Sequence, residues 1–288
     1  MTRWIYMQKL AKLVIRPTRE SYTDFDLGPT DFIVSGKVHS RTDFELVNPR
    51  ELTLKCSWFK PKFASGQLPC IVYCHGNCGS RKDALDLAKT LLPLSYTIFT
   101  FDFAGSGLSD GEFVSLGYYE SWDLRTVVNY LRESGEVSSL ILWGRSMGAV
   151  STILYASCDP AVALLVLDSP FTSLKKVMKE FIKPKVMLNA ISKYLLTTIR
   201  ENILELAKFD IEDVRPDAYL ASCRMPAIFL HGIHDNLVSI NHSRELFKDY
   251  RADKYLLELG GGHNSGRPSH ILEKIHSIMN EMLAAGRA

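Results

Sequence analysis

Short apolar runs recur along the chain, separated by stretches with helical spacing. The runs are Cys70-Ile71-Val72-Tyr73-Cys74, Thr97-Ile98-Phe99-Thr100-Phe101, Leu140-Ile141-Leu142-Trp143, Ala163-Leu164-Leu165-Val166-Leu167, Ala227-Ile228-Phe229-Leu230 and Tyr255-Leu256-Leu257-Glu258-Leu259. Continuous apolar strands with helices between them predict a mostly parallel sheet covered on both faces. The helical patterns fall near residues 81–92, 119–133, 147–157, 242–249 and 268–283. Before this alternation, residues 31–59 read as strands, with period-two alternation in Asp31-Phe32-Ile33-Val34 and a run from Leu52 to Phe59; Pro61 and Ser65-Gly66 mark the turn after them.

The rhythm is broken once. The stretch between Asp168 and Pro226 is far too long for a single crossover helix. Within it Leu174, Val177, Met178, Phe181 and Ile182 recur at helical spacing, and residues 186–203 are again apolar and helical. These predict a small helical cap insertion, residues 171–220, over the carboxyl edge of the sheet. Ligands bind at that edge in doubly wound sheets. An apolar cap there either holds an acyl chain or only closes the core.

Gly144-Arg145-Ser146-Met147-Gly148 follows one apolar run and precedes a helix-like stretch, Ala149 to Ala156. Strand, G-x-S-x-G, helix is the context of a nucleophile elbow. The turn is so tight that residues two positions either side of the serine must be small. The hydroxyl then stands clear of the sheet, at a helix N-terminus that favours developing negative charge. The alternative is a plain glycine-rich turn.

A serine needs a base, and the base needs an orienting carboxylate. In this strand order the partners come later, acid before histidine. The last strand runs into Gly260-Gly261-Gly262-His263-Asn264-Ser265, which makes His263 the expected base. His231 and His234 lie near the preceding strand end, but that loop is expected to supply the acid; His39, His242, His270 and His276 read as surface or packing residues. Asp235 follows Leu230-His231-Gly232-Ile233-His234 and is the expected acid, with Asp168 as its rival at the end of an earlier strand. Asp102 is expected to fix the Gly105-Ser106-Gly107 turn. For the oxyanion, one amide is expected from Met147 and a second from His75-Gly76-Asn77-Cys78-Gly79, with Asn77 favoured over Cys78. That loop can also be read as a plain strand-to-helix connection.

Composition narrows the classes. With 46% hydrophobic and 23% charged residues the chain is an ordinary soluble globular protein, read as a single domain over residues 1–288. A formal net charge of +2 gives no reason to invoke nucleic acid. No uncharged stretch approaches the ~18 residues of a membrane span. The N-terminus lacks a signal-peptide apolar region, so a cytoplasmic location is expected. Lys9, Lys12, Arg16 and Arg19 interleave with Leu10, Leu13, Val14 and Ile15. A helix packed on the domain is favoured there, and peripheral membrane contact is the second reading. The 6 cysteines form no compact framework, and Cys74-His75 with Cys78 lacks the second ligand cluster that zinc requires. No metal or cofactor is expected. Gly105-Ser106-Gly107-Leu108-Ser109-Asp110-Gly111 lacks both the Lys-Ser/Thr ending and the G-x-G-x-x-G spacing of nucleotide loops.

Over nearly all of residues 30–285 the chain resembles α/β-hydrolase-fold serine hydrolases. The resemblance rests on Tyr73-Cys74-His75-Gly76-Asn77, Phe101-Asp102-Phe103-Ala104-Gly105-Ser106-Gly107, Trp143-Gly144-Arg145-Ser146-Met147-Gly148, His231-Gly232 with Asp235, and Gly262-His263-Asn264-Ser265. Within that superfamily it resembles largely uncharacterised plant and protist intracellular hydrolases with the same elbow. More distantly it is similar to serine-aminopeptidase-like hydrolases and to depalmitoylases of this fold. The resemblance implies an eight-stranded, mostly parallel sheet whose second strand is antiparallel, and a triad of Ser146, Asp235 and His263. It departs from the depalmitoylases in lacking an N-terminal cysteine cluster. The expected reaction is hydrolysis of an ester or thioester of a small-molecule or acylated substrate. An aminopeptidase-like reaction, with Glu180, Glu201 or Glu205 anchoring a free amine, and a non-catalytic binding protein are the alternatives.

Overall fold

The computed structural model describes residues 2–182 and 189–285. Its strands are β1 (Asp31–Val34), β2 (Lys37–Val47), β3 (Thr53–Pro61), β4 (Leu68–Cys74), β5 (Thr97–Phe101), β6 (Val137–Arg145), β7 (Leu164–Asp168), β8 (Ala227–Gly232) and β9 (Lys254–Leu259). They form one sheet in the order β1-β2-β3-β5-β4-β6-β7-β8-β9. Strands β4 to β9 pair in parallel, and β3 is antiparallel to β5.

Among the described residues the sheet has nine strands where eight were expected. The additional one is β1, folded onto β2 through Ser35-Gly36, whose φ values are 50° and 74°. Two consecutive positive φ values match the right-handed twist of a two-residue hairpin. The full length of β2 was not legible because its inward positions carry His39 and Arg41, both buried. Arg41 is satisfied there by Asp43, at 2.9 and 3.0 Å, and by the Gly28 carbonyl at 2.6 Å.

The helices are α1 (Thr2–Ile15), α2 (Leu85–Leu91), α3 (Glu120–Glu133), α4 (Met147–Ala156), α5 (Leu174–Ile182), α6 (Asn189–Ala207), α7 (Pro216–Tyr219), α8 (Ile240–Asp249) and α9 (Ser269–Ala285). Alternate strand residues feed two cores. Val72, Cys74, Leu142 and Leu167 face α3 and α4, while Ile71, Tyr73, Ile141 and Val166 face α2 and α9. Helix α1 turns Ala11 and Ile15 into the first core beside Ile199 and Ile203 of α6. Among the described residues three α-helices, α5 to α7, stand between β7 and β8; of the expected helix over residues 186–203, residues 186–188 lie outside the described residues. Among the described residues no helix is long and apolar enough to cross a membrane.

The chain passes from β4 to β5 on one side of the sheet, and β6 then lies on the other side of β4. This reversal opens a crevice at the carboxyl ends of β4 and β6, where ligands of such sheets bind. A polar cluster around the buried side chains of Arg81 and Asp102 joins the segments that follow β4 and β5. Arg81 donates to Tyr22 Oη (2.7 Å), Asp24 Oδ1 (2.5 Å) and the Cys56 carbonyl (3.2 Å). Tyr22 donates to Asp102 Oδ2 at 2.5 Å, and the amides of Arg81 and Leu108 donate to the same carboxylate, each at 2.7 Å. Asp102 thereby holds the 105–107 turn, where a Cβ on Gly107 would collide with the carboxylate. Removing one member of a buried charged cluster leaves the others uncompensated. Arg81→Met is therefore expected to cost about 3–5 kcal/mol of stability in guanidinium unfolding. A loss below about 1 kcal/mol would mean that the cluster contributes little.

Candidate active site

Strand β6 ends at Arg145, and α4 begins at Met147. Ser146 sits alone between them with φ 51° and ψ −114°. A non-glycine residue in this region costs about 1–3 kcal/mol and persists only when its surroundings fix it. Here the Ser146 amide donates to the Asp168 carbonyl at 2.7 Å, and its own carbonyl accepts from Val150 at 3.0 Å. The flanking glycines are compulsory for steric reasons. A Cβ on Gly144 would strike the backbone of Gly148 and Ala149, and one on Gly148 would strike the carbonyls of Cys74 and His75. The end of β4 is thus pressed against the first turn of α4.

Ser146 Oγ lies 3.0 Å from His263 Nε2, and His263 Nδ1 lies 2.6 Å from Asp235 Oδ2. The carboxylate can only accept, so Nδ1 carries the proton and Nε2 is free to accept from the serine hydroxyl. The Asp235 side chain is shielded from solvent, while the residue as a whole is half-buried. Its Oδ1 accepts the amides of Leu237 (2.9 Å) and Val238 (2.8 Å). Burial works to raise the Asp235 carboxyl. Hydrogen bonds from His231, His263 and the Val238 amide outweigh it and hold the group far below the usual carboxylate range. The three residues expected from the sequence are therefore one hydrogen-bonded chain.

His231, at the end of β8 and not among the expected site residues, also belongs to this assembly. It is completely buried, and its Nε2 lies 2.9 Å from the Val238 carbonyl and 3.2 Å from Asp235 Oδ2. Both partners are acceptors, so Nε2 carries the proton, and Nδ1 accepts from the Ser243 hydroxyl at 2.6 Å. Asp235 is thus held by two imidazoles. Four residues separate them along an irregular loop, a spacing with no periodic signal. Asp168, the rival acid, is occupied elsewhere: Arg267 donates to both of its oxygens, at 2.6 and 2.9 Å.

The loop after β4 also approaches the serine. A Cβ built on Gly76 would stand 3.8 Å from Ser146 Cβ. His75 shapes this loop by accepting the Phe103 amide at Nε2 (3.0 Å) and donating from Nδ1 to the Gly76 carbonyl (2.7 Å). The Gly79 amide donates to that carbonyl at 3.0 Å, closing a turn around Asn77 and Cys78. Among the described residues neither the Asn77 nor the Met147 amide has a hydrogen-bond acceptor. The first amides of a helix lack partners within it, so Met147 offers a donor beside Ser146. A cavity of about 210 Å3, bounded by Leu52, Phe113, Tyr119 and Leu206, is lined by none of these site residues.

A sheet of this order, with a serine on the tight turn after β6 and an acid and a histidine after β8 and β9, defines an α/β-hydrolase-fold protein. The family model described as "Serine aminopeptidase, S33" matches residues 68–214, and the chain belongs to that family. It is 27% identical over 196 residues to the uncharacterised protein YqkD of Bacillus subtilis, a match covering 66% of this chain and 63% of that protein. It is 26% identical over 198 residues to lysophosphatidylserine lipase ABHD12 of Danio rerio, covering 66% of this chain and 49% of the lipase. The chain thus matches about half to two thirds of the length of these relatives. Among solved structures it is similar to an esterase of Pyrococcus furiosus, with a TM-score of 0.70, 20% identity and coverage of 94% of this chain and 98% of that one. Est1E of Butyrivibrio proteoclasticus gives 0.67 and 16%, covering 84% and 99%. These structural likenesses concern the fold.

The depressed Asp235 carboxyl has a consequence for stability. Its unfolded value is about 3.9. A group whose folded value is lower stabilises the fold fully above that pH, and the contribution is lost as pH falls through the folded value. Asp235→Asn is expected to lower stability at neutral pH, with the gap to wild type narrowing only below about pH 4. Urea midpoints measured from about pH 3 to about pH 8 check this; a gap that closes between about pH 7 and pH 5 would contradict the assigned direction.

Proposed function

We propose that the protein is a serine hydrolase that cleaves carboxylic esters or thioesters through an acyl-enzyme on Ser146. The observation that carries this reading is the unbroken hydrogen-bonded chain from Ser146 Oγ through His263 to Asp235. In this reading His263 Nε2 takes the hydroxyl proton as Oγ attacks the carbonyl carbon. Asp235 keeps Nδ1 protonated and stabilises the resulting imidazolium. The amides of Asn77 and Met147 receive the oxyanion. His263 then protonates the leaving alcohol or thiol, activates water, and the ester of Ser146 is hydrolysed. The proposed cycle draws only on this chain and water.

An apolar acyl or aromatic group is the substrate class favoured. Ile233 and Leu237 flank Asp235 in sequence and are about half exposed, which supports an apolar rim at the site. Helices α5 to α7 serve as its cap in this reading. The similarity to a lipase acting on lysophosphatidylserine points the same way.

The family description favours a second reading, cleavage of an N-terminal residue from a peptide. It needs an anionic anchor for the free amine. Glu180 is engaged by His242 Nε2 at 3.0 Å, and Glu201 and Glu205 are exposed on α6. No carboxylate on the cap is singled out, so the ester reading is preferred.

Labelling with a fluorophosphonate and turnover of a p-nitrophenyl ester chain-length series test the proposal. Wild type is expected to label and turn over. Ser146→Ala is expected to abolish labelling, and His263→Ala to lower kcat/KM about a thousand-fold or more. A folded wild type that neither labels nor hydrolyses any ester overturns the reading. Faster cleavage of aminoacyl anilides than of esters would establish the peptidase instead.

A further inference from the structure

His263 lies in an irregular segment between β9 and α9, yet a general base must stand at a fixed distance from its nucleophile. Its ring is fixed by Asp235 and Ser146. Its backbone is held directly by Arg145, and the turn that follows it is held by Arg145 and Arg267 together. Arg145, the residue before the serine, donates from Nη2 to the carbonyls of His263 (2.5 Å) and Ser265 (3.0 Å). Arg267 donates from Nη1 to the same Ser265 carbonyl at 3.2 Å. Its Nε and Nη2 grip Asp168 Oδ2 and Oδ1, and both side chains of that ion pair are more than nine-tenths buried. Asp168 in turn accepts the Ser146 amide at its carbonyl. Ser265 Oγ completes the turn by accepting the Gly262 amide at 2.9 Å.

These contacts close a ring: Ser146, Asp168, Arg267, Ser265, Arg145 and back to Ser146 through the peptide bond. We propose that Arg145, Arg267 and Asp168 form a positioning clamp that sets the His263 backbone in register with the nucleophile elbow. The proposal rests on the acyl-enzyme reading and adds residues to it. None of the three touches the reacting atoms, so they are positioning residues. The chemistry suits the task. A guanidinium is planar, permanently charged and many-donored, so one head group serves two carbonyls in a fixed geometry, and its charge does not change across the working pH range. Lysine offers a mobile point charge in its place. The clamp also ties the histidine to the serine's own strand end, so a shift of one carries the other with it.

A misplacement of about 1 Å at a reacting group costs on the order of 100-fold in rate. Arg145→Met is accordingly expected to lower kcat for a p-nitrophenyl ester, and the rate of fluorophosphonate labelling, by about 100-fold, with KM changed by less than about three-fold. Arg145→Lys is expected to recover part of that loss. The far-downfield proton resonance of His263 Nδ1–H, bonded to Asp235, reads ring placement without turnover; it is expected to broaden or vanish in Arg145→Met and in Asp168→Asn, and to persist in Arg145→Lys. A merely structural arginine would lower the melting temperature and leave the labelling rate of the folded fraction unchanged. A folded Arg145→Met protein with wild-type labelling rate and an unaltered resonance overturns the clamp. Should Arg145→Met not fold, Arg145→Lys and Asp168→Asn carry the same comparison. Should wild type neither label nor turn over, the acyl-enzyme reading fails while the resonance still decides the clamp.

Discussion

Everything at this site depends on one strained residue. Ser146 holds a positive φ that a serine adopts only when its neighbours fix it. The strain converts a strand into a helix with a single residue between them. That abrupt reversal aims Oγ out of the sheet and places the first amide of α4 beside it. It is possible only because Gly144 and Gly148 let two backbones meet where any side chain would collide. The parallel strands supply the rest of the constraint. The carbonyl of Asp168, at the end of the neighbouring strand β7, is fixed by the sheet and holds the Ser146 amide.

A buried carboxylate is costly unless its lone pairs are filled. Asp235 meets that condition by dividing its oxygens. Two backbone amides of its own loop take Oδ1, and the imidazoles of His231 and His263 share Oδ2. The amides fix the plane of the carboxylate, and the imidazoles fix its reach. His231 is in turn locked by Ser243 on α8 and by the Val238 carbonyl. The acid loop is thereby tied to the helix behind it as well as to the site in front.

The sheet and the juxtaposition of Ser146, Asp235 and His263 were legible because they are written in local patterns. Buried parallel strands are continuous apolar runs, such as Leu164–Asp168 with all five positions buried. A nucleophile elbow requires small residues at fixed spacing, and Asp235 and His263 each follow a strand. Features built from distant polar residues left no such trace. Strand β2 turns His39 and Arg41 inward, which hides it from a search for apolar alternation. Arg145 and Arg267 read as ordinary charged residues. Their roles exist only once residues 118 and 99 positions apart are brought together. His231 looked redundant because the loop already had its acid; only packing shows that the acid has two imidazoles.

The contrast between Asp168 and Asp235 explains why two aspartates near adjacent strand ends do different work. By position in the sequence they were rivals. By environment they are not. A guanidinium 2.6–2.9 Å from both oxygens of Asp168 offsets most of that carboxylate's field at distances beyond the pair's own dimensions. An ion pair so satisfied can hold backbone in place, but it has little charge left to stabilise an imidazolium. The donors on Asp235 are backbone amides and the rings of His231 and His263, with no guanidinium bonded to either oxygen among the described residues. They keep the carboxylate ionised without neutralising it, so its full charge faces the Nδ1 proton of His263. In the proposed reaction, hydrogen bonding by imidazoles and amides, rather than by a guanidinium, is what suits Asp235 to the acid's part, and the ion pair with Arg267 is what releases Asp168 to anchor the loop.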